Sequence, residues 1–227
     1  MTPTRRVVRT LLAAALLATP IAAVAQEDVR LTGTWSVAVT SPDGVFPAAL
    51  ALTEEGDRLT GIVVGERGPA PVEGTRAADG VTLRFSITYE GAPLHIVMSA
   101  PAARDELSGR VDFGGVAEGT WTARRDAPAG VSGAWAFTAD DGGMPVPAQL
   151  MLVEDGGRVN GRLLARSHGI DGLVRGTVTD GVLQLAVDAT VNGSPLVIDL
   201  PGRLTGETLA GTYAAGDRAG RWTAVRP

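Results

Sequence analysis

The sequence predicts an all-β protein: two tandem eight-stranded antiparallel up-and-down meander barrels behind an N-terminal signal peptide. Three observations carry this. Apolar and polar residues alternate with period two over most of the chain, as in strands with one buried and one wet face. Thirty Gly and 14 Pro punctuate the chain at short intervals, with no long helical period between them. And nearly the same text is written twice, "GTW" at 33–35 returning as "GAW" at 133–135.

The first 25 residues stand apart. "MTPTRRVVRT" holds three Arg and no acid, and "LLAAALLATPIAAVA" is an apolar run too short to span a bilayer, ending in Ala23-Val24-Ala25. That layout predicts a cleaved signal peptide, 1–25, and a periplasmic or secreted protein. The chain has no Cys, so disulfides and thiol chemistry are excluded and the core alone must hold the fold. No later stretch is long and apolar enough for a membrane helix. Without the leader, 17 basic residues, all Arg, face 25 acids, a formal charge of −8. Nucleic acid and anionic membranes are poor partners for such a surface.

The repeat covers the rest of the chain. "PAALALTEEGDRLTG" at 47–61 matches "PAQLMLVEDGGRVNG" at 147–161, "GAPLHI" at 91–96 matches "GSPLVI" at 193–198, and "GTWTARR" at 119–125 matches "GRWTAVR" at 220–226. Copy 1 runs 31–125 and copy 2 runs 131–226, joined by a linker at 126–130. Copies of this length are small domains, too long for solenoid repeats. Copy 1 reads as eight strands in order. Trp35, Val37 and Val39 mark the first, Phe46 to Leu52 the second, Leu59 to Val63 the third and Val72 with Gly74 the fourth. Val81 to Tyr89 mark the fifth, Leu94 to Met98 the sixth, Leu107 to Phe113 the seventh and Gly119 to Ala123 the eighth. Copy 2 keeps the pattern from Trp135 to Trp222. The connections are turn-like, "EEGDR" and "YEGAP" among them, so successive hairpins make a meander. Pairing the first strand with the last would remove both exposed edges.

The four Trp fall only on first and last strands: Trp35 and Trp121, Trp135 and Trp222. In a closed barrel these strands are neighbours, which predicts both Trp of a copy at one end. Arg125 and Arg226 follow the second Trp by four residues, so a guanidinium would lie on an indole there. The pattern of G-x-W on the first strand and Arg at the end of the last resembles the calycin-type (lipocalin and avidin-like) barrels. It is also similar to small exported bacterial β-domains with a GTW…GTWTAxR pattern. In calycins the first-strand Trp packs under a late-strand Arg and closes the floor. The resemblance implies that role for Trp35 with Arg125 and for Trp135 with Arg226. The copies are shorter than lipocalins and lack their flanking helices, so no ligand carries over.

With Trp35, Trp121, Arg125, Trp135, Trp222 and Arg226 as barrel floors, the other ends are open mouths, and the short linker predicts floors facing each other. Two functions fit. In one, a small apolar ligand enters a mouth and packs on Phe46, Phe85 or Phe113 in copy 1, or on Leu185 and Tyr213 in copy 2. In the other, the cores are filled and the pair acts structurally or by contacting another protein. One inward Gly recurs on several strands, either to let a small barrel coil or to leave a lumen; the number of large inward residues favours a filled core. Enzyme chemistry, metals and cofactors are not expected. His95 points outward, His168 lies in a loop of the other copy, and no Ser has a His and an acid in a recognisable arrangement. Glu54-Glu55 and Glu154-Asp155 read as solvated turns, Asp140 to Gly143 as another. The outward face of strand five, Thr82, Arg84, Ser86 and Thr88, is polar, unlike the lipid band of a membrane barrel.

Overall fold

The computed structural model describes residues 29–227 except 128 and 192, so the expected signal peptide lies outside the described residues. Sixteen strands close into two separate antiparallel barrels among these residues. Barrel 1 comprises β1 (Gly33–Ser41), β2 (Gly44–Glu55), β3 (Arg58–Gly65), β4 (Gly68–Ala77), β5 (Gly80–Tyr89), β6 (Ala92–Ala100), β7 (Glu106–Phe113) and β8 (Glu118–Arg125). Barrel 2 comprises β9 (Gly133–Asp141), β10 (Met144–Asp155), β11 (Arg158–Ala165), β12 (Ile170–Thr179), β13 (Val182–Val191), β14 (Ser194–Thr205), β15 (Thr208–Ala215) and β16 (Arg218–Val225). A single 3-10 turn, Arg166–His168, joins β11 to β12. The predicted meander and its closure by first and last strands are both present: β1 pairs with β8, and β9 with β16.

Alternation dictates the interior. Trp35 pairs with Leu50, Val37 with Ala48 and Phe85 with Ile96, all inward. Each barrel thus has its own apolar core, centred on Trp121 and Leu83 in one and on Trp222 and Leu185 in the other. The recurrent Gly do not open a lumen. A Cβ on Gly109 would fall 1.8 Å from the Ser99 carbonyl oxygen, and one on Gly119 would fall 2.1 Å from that of Thr40. These positions let neighbouring backbones close in, the sharp coiling that a small barrel needs. Gly202 makes room for a side chain instead: the Trp222 indole lies 2.5 Å from where its Cβ would be.

The barrels do not meet floor to floor. They pack wall to wall through the outer faces of β2 and β3 against β10 and β11, where Ala51, Ile62, Met151, Val153 and Leu164 form a third buried cluster. The same two strands of each copy build the seam, with different residues. Arg162 on β11 stands where copy 1 has Ile62 on β3, and it is the seam's polar centre. Its guanidinium bonds to Asp171 at 2.7 and 2.8 Å and to Glu73 of barrel 1 at 2.8 Å, and it donates to the Val72 carbonyl at 3.2 Å. Thr60 reaches Gln149, and Arg166 pairs with Glu55 at 2.7 Å. The linker is anchored where it begins, since Asp126 donates its N–H to Thr34 and accepts from the Ser36 hydroxyl. A short tether limits distance, not orientation, and the apolar walls decide the packing.

Candidate functional site

The closed end of each barrel is built from the chain leading into its first strand. Leu31 tucks under Trp35 with no exposure, and the Trp35 Nε1–H donates to the Leu31 carbonyl at 3.1 Å. Arg125, directly opposite Trp35 across the β1–β8 seam, lays its guanidinium 4.1 Å above the indole centroid. It also donates to the carbonyls of Thr32 at 2.7 Å and Arg104 at 2.6 Å, and to that of Arg30. Gly33 makes this possible: a Cβ there would sit 2.6 Å from Nη1 of Arg125, at a φ of +140°. The G-x-W motif is therefore a seat for the arginine as much as a place for the indole. Burial pushes the Arg125 guanidinium below its usual pKa, against the pull of Asp105. Barrel 2 repeats the arrangement with Val131, Trp135, Gly133 and Arg226, the last 4.3 Å above Trp135 and lowered likewise by burial.

Four residues depart from expectation here, two in each barrel. Trp121 pairs with Val39 and Gly109, four register places from Arg125, or about 13 Å along the strand. It belongs to the middle of the core, where it donates to the Ser99 carbonyl. Trp222 is likewise central, opposite Ala139, and stacks on Phe137 at 5.4 Å. Closing a barrel requires strands to stagger, so equal rank along the first and last strands does not mean equal height. Glu54 departs too. It is no solvated turn residue but a clamp on the floor, accepting from the Leu31 N–H at 2.6 Å and pairing with Arg76 at 2.6 Å. Glu154 accepts from the Val131 N–H in the same way. The matched "LTEEG" and "LVEDG" held that signal.

The opposite ends of the two barrels differ. Phe46, opposite Val39, is 38 % exposed at the rim of barrel 1, and Tyr89 is equally exposed. Phe85, Ile87, Leu94 and Phe113 lie beneath them, half-buried and packed on the core. Phe85, Ile96 and Phe113 are level neighbours on β5, β6 and β7. All of these side chains lie on the inward face by strand alternation, a partly exposed apolar end, or cup, with Ile96 and Trp121 buried in the core below its rim. Arg67, from the β3–β4 turn, leans over the Tyr89 ring at 4.7 Å. At matching positions barrel 2 has Val146, Val187, Ala189, Val191 and Ala215 for Phe46, Phe85, Ile87, Tyr89 and Phe113. Its aromatic mass is deep instead: Phe137 and Tyr213 replace Val37 and Val111.

Of the residues expected to bind a ligand, Phe46, Phe85 and Phe113 all lie on the inward face at the open end of barrel 1, whereas Leu185 is buried in the middle of its core and Tyr213 is buried under the Asp140–Asp141 rim of barrel 2. Leu185 is buried between Gly176 and Leu200. Tyr213 is buried as well, its hydroxyl donating to the Asp140 carbonyl at 3.3 Å and lying 3.4 Å from an Asp141 carboxylate oxygen. Burial foremost, then the Asp141 charge, raise its pKa above the ordinary tyrosine value.

A second concavity, a cleft of about 530 Å³, lies where the barrels meet; Arg30 and Pro227 line it together with Thr53, Gln149 and Arg166. Its charged groups Glu55 and Arg166 already pair with each other. His95 bonds to Ser86 on the outer wall and His168 to its neighbour Ser167, both exposed. Arg166, His168 and Asp171 do not converge, since Asp171 is taken by Arg162. Asp140 accepts from the Gly143 N–H and closes a turn. Among the described residues no group of three or more His, Asp or Glu is placed to hold a metal.

No family model matches the chain, and no curated protein matches it in sequence. The likeness to calycins is one of architecture, a closed eight-stranded antiparallel barrel. No described helix is long and apolar enough to cross a membrane.

Proposed function

We propose that the chain is an exported, non-catalytic double barrel that holds an apolar group in the open end of barrel 1, with barrel 2 as its rigid support. One observation carries this reading: three of the four Phe and one of the two Tyr gather on the inward face at that end, where they stay partly exposed. An aromatic residue placed for packing alone belongs deeper, as Phe137 and Tyr213 are in barrel 2. Partly exposed aromatic groups on a rigid scaffold are typical of contact sites. Apart from the Tyr89 hydroxyl at the rim, every inward side chain of the cup is apolar, which suits holding. Export is supported by the leader at 1–25.

Titration with an uncharged lipophilic fluorophore such as Nile red tests the cup. Saturable binding is expected, lost on Phe46→Ser, a rim change that leaves the core intact. Absence of saturation, or equal binding by Phe46→Ser, refutes the cup. In that event a structural pair with filled cores is the reading to keep, favoured by the stacked Phe137 and Trp222 in barrel 2.

A further inference from the structure

The rim around the cup carries charge of one sign. The four turns at the open end of barrel 1, with their flanking strand ends, hold Asp43, Glu66, Glu90, Asp112 and Glu118 against one cation, Arg67. Among the described residues none of the five acids forms an ion pair. At the open end of barrel 2 the balance is more even: Asp141 pairs with Arg218 at 2.7 Å and Asp171 with Arg162, while Asp140 and Asp217 form no ion pair among the described residues. So the barrel that exposes its aromatic residues leaves all five of its rim carboxylates without an ion pair, whereas the other pairs two of its four. Opposed potentials steer partners and fix their register.

The shape of the cup narrows the partner. From Tyr89 to Phe85 is two inward rungs, four residues and about 13 Å along the strand, with Ile96 level with Phe85 at the lower end. Phe85, Ile87, Leu94 and Phe113, half-buried and packed on the core, already fill much of that length, so the room left at the rim suits one side chain and not an extended tail. Apolar surface also continues outside the ring, at Val45, 64 % exposed, and Val116, 85 % exposed. A small molecule seated in the cup would leave these uncovered, whereas a chain passing over the mouth would cover them. We propose that the occupant is a basic polypeptide segment that inserts one large apolar side chain into the cup while its lysines or arginines face Asp43, Glu66 and Glu90. This rests on the reading of the cup above and adds the class of partner.

The test uses the purified full chain and short labelled peptides followed by fluorescence anisotropy. One carries a central phenylalanine flanked by lysines, a second has glutamine for each lysine, and a third has glycine for the phenylalanine. The first is expected to bind best, with affinity falling as salt rises from about 0.01 to 1 M, over which the screening length shrinks from about 30 to 3 Å. Asp43→Asn, Glu66→Gln and Glu90→Gln are each expected to weaken it about 1.5- to 5-fold, as exposed pairs do. The third peptide should lose binding, and Phe46→Ser should abolish the response to the first. If the glutamine peptide binds as well as the lysine peptide while Nile red still saturates, the charge argument is overturned and the cup stands. A lysine peptide that binds equally with or without phenylalanine also overturns the proposal, as does a small alkylammonium ion that outcompetes it. If neither Nile red nor any peptide binds, both readings fall.

Discussion

Arg125→Met removes the guanidinium from the floor of barrel 1 and keeps the aliphatic stem. The contact over Trp35 at 4.1 Å contributes about 1 kcal/mol for a partly desolvated pair. The bonds to the Thr32 and Arg104 carbonyls add about 1 kcal/mol each. Desolvation of the charge, visible as its lowered pKa, takes part of this back. A net loss of about 2–3 kcal/mol should lower the barrel 1 transition by about 8–20 °C for a domain of this size. Calorimetry of the full chain reads that shift. Tryptophan emission gives a second signal, because Trp35 has no exposed surface and should move to longer wavelength once its cover is gone. Arg125→Lys should recover less than half of the loss, since an ammonium cannot reach several carbonyls with a planar fork. A variant that melts within about 2 °C of the parent, with unchanged emission, would refute the arginine seat, because no loss of even 1 kcal/mol fits so small a shift.

Other outcomes follow from the same geometry. Met151→Asp puts a charge into the inter-barrel seam at a cost of about 3 kcal/mol; small-angle scattering should show a larger radius of gyration while each barrel stays folded, and an unchanged radius would contradict the seam. Gly109→Ala should destabilise barrel 1 by more than about 2 kcal/mol, because its Cβ meets the strand next door, whereas Gly115→Ala, at a turn with open space, costs only about 1 kcal/mol. Both values come from chemical denaturation. Tyr213 holds its proton more tightly folded than unfolded, so the stability it confers is whole below the unfolded value, about 10, and is lost as pH rises through the folded value. The stability difference between the parent and Tyr213→Phe should therefore shift against the parent from about pH 9 to about pH 11.5, and a constant difference counts against the assignment.

Much of this molecule is legible in its residues alone. Period-two alternation marks the strands, turn residues mark the hairpins, and Trp35 with Arg125 announces which strands close the barrel. What escapes such reading obeys physics that local pattern does not express. Stagger around a barrel is a global quantity, so the height of Trp121 does not follow from its place in β8. The seam does leave a trace: "PAALAL" and "GIVVG" break alternation with continuous apolar runs, as strands buried on both faces do. Arg162 leaves none, since its counterpart Ile62 is apolar and its acidic partners lie on other strands. The mouth of barrel 1 is half legible. Phe46, Phe85 and Phe113 are visible as inward aromatics, but only the register separates them from Leu185 and Tyr213, which occupy deeper rungs.

Arg30, at the start of the described chain, and Pro227, at its end, border the same cleft between the barrels. A few added residues would bridge them, and the linker at 126–130 offers a natural place to cut. A circular permutant that begins with the second half and finishes with the first should thus keep every strand pairing, because chain order here is a matter of covalent convenience.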